Sequence, residues 1–328
     1  MHKKFLKVRP PYDLKLTLKP SFLSSLFSTS HKMWTKVRGF LKGLVLVQKG
    51  PLIIYQGVHE VPLDVLKSIL GLHLGPFETY LRYTNSELYP ILFNLASCYP
   101  GVRLPFSEND FIWLFIAAVL SRRTDYEKNV LRWCSRIDKL TKGNPWLLLY
   151  ISRDKVLSYI GTSYQVKTLL DSLSSLRELL VETFSLSTDD PLELYEVSKD
   201  LSKKDPWHLR QLLLKCKYVG PKVADSIVMS VTPYSSFAPV DIHLLRVSTR
   251  LGILPPHVKL PQRNYCVSYT CYTCPYKDTC ARGILLGKLD MLFGWYQTLT
   301  YLHGRNYCRS ILPKCHSCPL KDVCPKNK

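Results

Sequence analysis

The run CKYVGPKVADSIVMSV, Cys216–Val231, decides how the rest of the chain is read. Before it, DPWHLRQLLLKC (205–216) has helical spacing and an Asp-Pro start. KYVGP then breaks the pattern, and KVADSIVMSV resumes it. Such a helix, tight turn and helix present consecutive backbone N–H groups at a helix N-terminus. A phosphate can be held there by amides and dipole without its sequence being read. Lys217, Val219 and Gly220 make the turn, and Lys222 stands beside it. Nineteen residues after Lys222, in FAPVDIHLLRVSTRLG (237–252), Asp241 opens a further helix, where the ordinary role of an aspartate is the N-cap.

Charge agrees with a phosphate partner. Of 328 residues, 45 are Lys or Arg and 25 Asp or Glu, a formal net charge of +20. The basic residues are interleaved with Tyr and Trp rather than gathered in a tail, which favours nucleic acid over a solubility effect or a membrane surface. The longest apolar run, FIWLFIAAVL (111–120), is half what a membrane span needs. The basic N-terminus MHKKFLKVRPPYDLK has no apolar stretch behind it. A soluble intracellular protein with no membrane partner is expected.

Eight of the eleven cysteines fall into two sets. Cys266, Cys271, Cys274 and Cys280 read C-x4-C-x2-C-x5-C, and Cys308, Cys315, Cys318 and Cys324 read C-x6-C-x2-C-x5-C. Thiolates repel one another, so four in so short a loop point to metal ligation rather than disulfides. Cys98, Cys134 and Cys216 stand alone in apolar surroundings and read as core residues.

Two textures divide the chain. Residues 1–95 contain short, partly alternating, β-branched runs broken by Gly and Pro, which predict a β-rich domain with an antiparallel sheet. From about 96 the period is helical through 265 and again over 281–305, predicting an all-α domain of six or more helices. The cysteine sets occupy an insertion at 266–280 and a loop at 306–328. The fold class expected is α+β, mainly helical. CPYKDTC (274–280) and CPLKDVC (318–324) repeat a half-site.

GPKVAD and PVDIH, at this separation of Lys222 and Asp241, resemble the helix-hairpin-helix (HhH-GPD) DNA glycosylase superfamily, and within it the 8-oxoguanine glycosylase branch. SCYPGVRLPFSENDFIWLFIAAVLSRRTDY (97–126) is similar to that family's first catalytic-domain helix and lesion-facing loop. IGTSYQVKTLLDSL (160–173) is similar to its segment bearing a DNA-wedging tyrosine. The last twenty-odd residues resemble instead endonuclease III and the adenine glycosylases, whose cysteine motif binds a 4Fe–4S cluster.

The resemblance implies a bifunctional glycosylase and abasic-site lyase, acting as a monomer on double-stranded DNA with a damaged base. Lys222 would be the Schiff-base nucleophile and Asp241 the carboxylate opposing charge on the sugar. Arg122, Arg123, Tyr164, Lys217, Val219, Gly220, His243, Arg309 and Lys314 would contact DNA, with Ser226 in the base pocket. Cys308, Cys315, Cys318 and Cys324 would bind 4Fe–4S. Cys266, Cys271, Cys274 and Cys280 have no counterpart in either branch, and their spacing suits zinc or a second iron–sulfur cluster. A cytoplasmic, nucleoid-associated protein of archaeal origin is the corresponding expectation.

The chain departs from the family in four places. Tyr218 replaces the hairpin's first glycine, a position it can hold if its φ stays negative. Ser226 stands where the 8-oxoguanine branch has cysteine. LKPSFLSSLFS (18–28) lacks that branch's purine-reading glycine, and the cluster loop replaces the helix bearing its stacking phenylalanine. An 8-oxoguanine substrate and an oxidised pyrimidine both remain open, as does a noncatalytic iron–sulfur DNA-binding protein. An electron carrier fits less well, because the cysteine spacing is not that of ferredoxins.

Overall fold

The computed structural model describes residues 3–187 and 190–325, so the last three residues of the C-terminal cysteine loop lie outside the described residues. Five short strands, β1 (Lys4–Lys7), β2 (Phe27–Ser30), β3 (Met33–Lys36), β4 (Val45–Lys49) and β5 (Leu52–Gln56), form one antiparallel sheet in the order β1-β5-β4-β3-β2. Its inner face is set by alternation: Trp34, Leu46, Ile53 and Tyr55 point inward. The helices are α1 (Leu14–Leu18), α2 (Leu63–Ile69), α3 (Tyr89–Cys98), α4 (Phe111–Leu120), α5 (Leu131–Thr141), α6 (Arg153–Ile160), α7 (Tyr164–Phe184), α8 (Pro191–Asp200), α9 (Pro206–Lys215), α10 (Pro221–Val231), α11 (Ile242–Arg250), α12 (Arg263–Ser268), α13 (Ala281–Leu289) and α14 (Phe293–Asn306). The α+β class is as the sequence predicts. No helix among the described residues is long and apolar enough to cross a membrane.

Helix α4 explains the longest apolar run: all ten of its residues are buried, the condition for a helix with no polar face. It packs against α10, α7, α8 and the 3-10 turn Phe22–Leu26.

The core does not divide at residue 95. The sheet shares one apolar cluster with α4 to α10. Residues 77–104 belong to a second cluster with α11, α13 and α14. Strands end at Gln56, and α2 and α3 follow within the region read as β-rich. Their inward residues, Leu66 with Ile69 and Ile91, Leu92 with Leu95, recur at three- and four-residue spacing, a helical signal that the surrounding Gly and Pro obscured.

One buried ion pair ties the sheet to α4. Lys36 Nζ lies 2.8 Å from Asp110 Oδ2, and neither side chain is exposed. The ammonium also donates to the carbonyls of Arg38 and Phe40, while Asp110 accepts from the Phe40 amide and Ser107 Oγ. Burial pushes the Lys36 amine down and Asp110 opposes that shift. Gly39, at φ +71°, leaves the space that the carboxylate fills. Replacing Lys36 by Met strands Asp110 as an unpaired buried charge. The expected cost is about 3–5 kcal/mol of unfolding free energy, to be measured by urea denaturation.

Candidate active site

The N-terminus of α11 and one face each of α10 and α14 line one cavity of about 520 Å³, with Lys222, Ser226, Asp241 and Gln297 among its walls. Pro221 starts α10, suited by its fixed φ to the first turn. Lys222 follows, exposed to the cavity mouth. Ser226, one turn on, is buried and donates to the Lys222 carbonyl at 2.8 Å.

Asp241 is both an N-cap and a pocket group. Its Oδ1 accepts from the amides of His243 and Leu244 at 2.9 and 2.7 Å, which closes the first turn of α11. Its Oδ2 accepts from Gln297 Nε2 at 3.0 Å. Fixed from two helices and 9% exposed, the carboxylate cannot rotate away from the cavity. His243 lines the same cavity. Its Nδ1 faces Arg246 Nη2 at 2.9 Å, so Nδ1 accepts and Nε2 carries the proton. Burial pushes the imidazole's pKa down, Asp241 opposing and Arg246 adding to the shift, so His243 is a neutral donor.

The opposite wall comes from far away in sequence. Lys19, Ser21 and Phe22 line the cavity, and Tyr126 holds this segment through its hydroxyl on the Phe22 carbonyl (3.1 Å) and an edge-on ring contact. LKPSFLSSLFS therefore does reach the pocket, with a phenylalanine where no glycine is available. Arg305 pairs with Glu127 at 3.1 Å across the rim.

The two loop arginines separate. Arg123 is exposed and lines the cavity. Arg122 turns inward: Nε donates to the Val119 carbonyl, Nη1 to the Tyr218 carbonyl at 3.3 Å, and Nη2 to Thr168 Oγ1. Its guanidinium lies 5.3 Å from the Tyr164 ring centre and 5.6 Å from that of Tyr218. Arg122 thus braces the hairpin, and Arg123 is the one left open to the cavity.

The hairpin differs from its sequence reading in two respects. Tyr218 has φ +61°, not a negative φ; the chain keeps the left-handed bend of a glycine and bears the strain, of order 1–3 kcal/mol. The free donors also sit further along than Lys217 and Val219. The Lys217 amide donates to Ser175 Oγ at 3.2 Å, where the turn docks on α7, and the Val219 amide donates to the Cys216 carbonyl at 3.3 Å within the turn itself. No hydrogen bond among the described residues uses the amides of Gly220, Lys222 or Val223. At Gly220 no atom lies within 4 Å of where a Cβ would stand, which leaves the approach to those amides open.

Cys308, Cys315, Cys318 and Cys324 line a second cavity, of about 230 Å³, floored by Val247, Leu251 and Leu320. Arg250 Nη1 lies 3.3 Å from Cys308 Sγ, and His303 Nε2 3.4 Å from Cys318 Sγ. Burial holds the His303 pKa down to about 4, keeping it neutral there. Four cysteines thus line one apolar-floored void, a donor set of the chemistry that thiolate-bound clusters use. Among the described residues no three Cys, His, Asp or Glu side chains stand close enough together to hold a metal ion. Arg309 and Lys314 are exposed on this loop, away from the Lys222 cavity; Arg309 Nε reaches back to the Arg305 carbonyl.

In the other set, Cys266 and Cys274 lie near enough to Cys280 to add to the rise that burial imposes on its thiol. Cys271 Sγ takes a bond from Arg282 Nη1 at 2.7 Å. Arg282 Nε in turn lies 3.0 Å from Asp225 Oδ2, and Arg210 Nε 2.6 Å from Asp225 Oδ1, with no side chain of the three exposed. Asp225 is on the Lys222 helix. Sequence reasoning gave no role to Asp225, Arg210, Arg282, Gln297 or Arg305. The first three carried one available signal, charges within otherwise apolar helical patterns; the last two sit on α14, over which the sequence gave only a helical period.

No protein-family model and no curated protein matches the sequence. The structure is similar to a Clostridium acetobutylicum 8-oxoguanine glycosylase/lyase in complex with dsDNA containing cytosine opposite 8-oxoG. The TM-score is 0.65 at 16% identity, over 90% of this chain and 92% of that one. It is also similar to a 3-methyladenine DNA glycosylase from Archaeoglobus fulgidus (TM-score 0.60, 12% identity, 94% and 100%). A third is endonuclease III in a non-covalent complex with DNA (TM-score 0.53, 18% identity, 76% and 96%). The chain has the fold these helix-hairpin-helix glycosylases share.

Replacing Asp225 by Asn leaves two buried guanidinium groups without their anion. A loss of about 3–5 kcal/mol is expected, larger than for Arg282→Met, which leaves Arg210 and Asp225 paired. Chemical denaturation of both variants checks the order.

Proposed function

We propose that this chain is a bifunctional DNA glycosylase and abasic-site lyase of base excision repair, acting on duplex DNA that carries an oxidised base. The observation that carries the reading is the pairing, across one cavity, of an exposed lysine at a helix N-terminus with a carboxylate fixed by two helices. Free amides at Gly220, Lys222 and Val223 beside that cavity suit a DNA phosphate, and a net charge of +20 suits the duplex. One chain supplies every group.

Extruding a nucleotide costs a few kcal/mol of stacking. With the sugar in the cavity, Asp241 Oδ2 opposes the positive charge that develops as the glycosidic bond weakens. The Lys222 amine bonds to C1′ and the base departs, taking up a proton. Ring opening then gives a Schiff base between Lys222 and C1′. Loss of a C2′ proton and breakage of the C3′–O bond releases the 3′ phosphate, and water later hydrolyses the imine to restore the amine. Lys222 lies against the phosphate-binding amides, so binding the backbone places C1′ near its nitrogen.

For the substrate, 8-oxoguanine is the first choice. The Lys19–Phe22 segment, which belongs to the sheet-bearing part of the chain, closes the pocket, and the similarity to the 8-oxoguanine glycosylase/lyase spans 90% of this chain against 76% for endonuclease III. The C-terminal cysteine set favours the second reading, an oxidised pyrimidine. Cys308, Cys315, Cys318 and Cys324 would hold a 4Fe–4S cluster whose contribution is to fix the loop carrying Arg309 and Lys314. Cys266, Cys274 and Cys280, with Cys271, would hold a second cluster or zinc.

Borohydride trapping on duplexes containing 8-oxoguanine, thymine glycol, uracil or an abasic site tests the mechanism. A covalent adduct is expected that Lys222→Gln abolishes while leaving DNA affinity within a fewfold. Asp241→Asn, which keeps the helix cap, should slow base release by about 10²–10³. Binding without trapping on any duplex would show Lys222 to be a phosphate contact only.

The cluster assignment has its own readout. Protein purified without air should be brown, with iron and sulfide lost together in Cys318→Ser. Colourless protein containing zinc alone would overturn it.

A further inference from the structure

We propose that Tyr218 is a second base-stacking residue, so that the hairpin and α7 present a pair of tyrosines, rather than one, to the bases beside the extruded nucleotide. The proposal rests on the glycosylase reading above and names a contact of that same site.

Its starting point is a residue whose conformation works against it. Tyr218 stands at φ +61° in the hairpin turn, where glycine would meet no steric penalty. The ring is not buried in return: it is 45% exposed and absent from both apolar clusters. Nor does the turn need a side chain. Arg122 grips the Tyr218 carbonyl and Ser172 Oγ the Lys217 carbonyl, bonds that any residue at 218 would allow. A strained, half-exposed aromatic that the fold does not require is the mark of a group used by something outside the chain.

The surroundings say what that is. The Tyr164 ring, 55% exposed at the first turn of α7, stands edge-on to Tyr218 with ring centres 6.5 Å apart. Arg122 lies between them and sets both, its guanidinium held by three hydrogen bonds. Two and four residues on from Tyr218 come the free amides of Gly220 and Lys222. Aromatic faces beside an open phosphate-binding turn in a strongly basic chain match nucleobases next to their own backbone. A protein partner would leave those unpaired amides unexplained.

Three variants separate ring from backbone. Tyr218→Phe keeps the ring, Tyr218→Ala keeps the strained Cβ without it, and Tyr218→Gly removes both. Each is measured for thermal stability and for affinity to a duplex bearing a tetrahydrofuran abasic analogue. The change in emission of 2-aminopurine placed beside that analogue reports opening of the stack.

Tyr218→Gly should gain about 2–4 °C in Tm yet bind about tenfold more weakly with a diminished emission change. Tyr218→Ala should share the binding defect without the gain in Tm, and Tyr218→Phe should match wild type in both. Wild-type affinity and emission change in Tyr218→Ala and Tyr218→Gly, in a protein whose parent traps on borohydride, would overturn this proposal alone. A parent that neither binds the duplex nor traps would overturn the glycosylase reading with it.

Discussion

The molecule is registered on α4, ten residues with no polar face and none reaching water. A helix buried on every side cannot be oriented by its own amphipathicity. Its position is instead fixed by charged groups at its two ends. At the N-terminal end Asp110 captures Lys36 and the Phe40 amide, which docks the sheet. At the C-terminal end Arg122 reaches to Thr168 and the Tyr218 carbonyl, which docks α7 and the hairpin. Apolar burial supplies the cohesion. These few polar contacts determine which elements meet, and so where the cavity opens.

How much of this was legible in sequence follows from the range of each interaction. The hairpin, Asp241 and the two cysteine sets are local patterns and could be read directly. Asp241 was readable as an N-cap or as a pocket carboxylate, and the two roles proved compatible because its oxygens divide the work. Lys36 could not be read as buried, since strand alternation says only which face it is on. Its partner lies 74 residues away. Arg122 and Arg123 were indistinguishable as neighbours; Arg123 stands at φ +50°, which turns it to the cavity while Arg122 faces α7. The helices over 63–98 were masked for a different reason. They are short, and the turn residues around them resemble those that punctuate a sheet.

Tyr218 shows local and global preference in conflict. At some of the positive-φ turns glycine is imposed by space, as at Gly39, Gly71 and Gly101, where backbone or buried side chains leave no room for a Cβ. The hairpin has no such crowding, so the bend there excludes a side chain only through its own torsional cost. That cost is bearable because Arg122 supplies a bond to the carbonyl and a cationic face for the ring.

The two cysteine loops complete the same logic from behind the cavity. The 266–280 loop touches α10 through a chain of buried charges, from Cys271 Sγ to Arg282 to Asp225, which lies one helical turn below Lys222. The 308–324 loop touches α11 through Arg246, whose Nε meets the Cys308 carbonyl at 2.7 Å, and through Arg250 on Cys308 Sγ. The helices that bring Lys222 and Asp241 to the cavity are therefore each backed by one cysteine loop, and in each case an arginine makes the connection. Arginine suits the task because its fork can serve a carboxylate or carbonyl and a sulfur at once. The arrangement also makes the loops more than appendages. Disturbing the sulfur end of either chain removes a partner from a buried or half-buried guanidinium. The consequence falls first on the placement of α10 and α11, whose N-termini hold Lys222 and Asp241 on either side of the cavity.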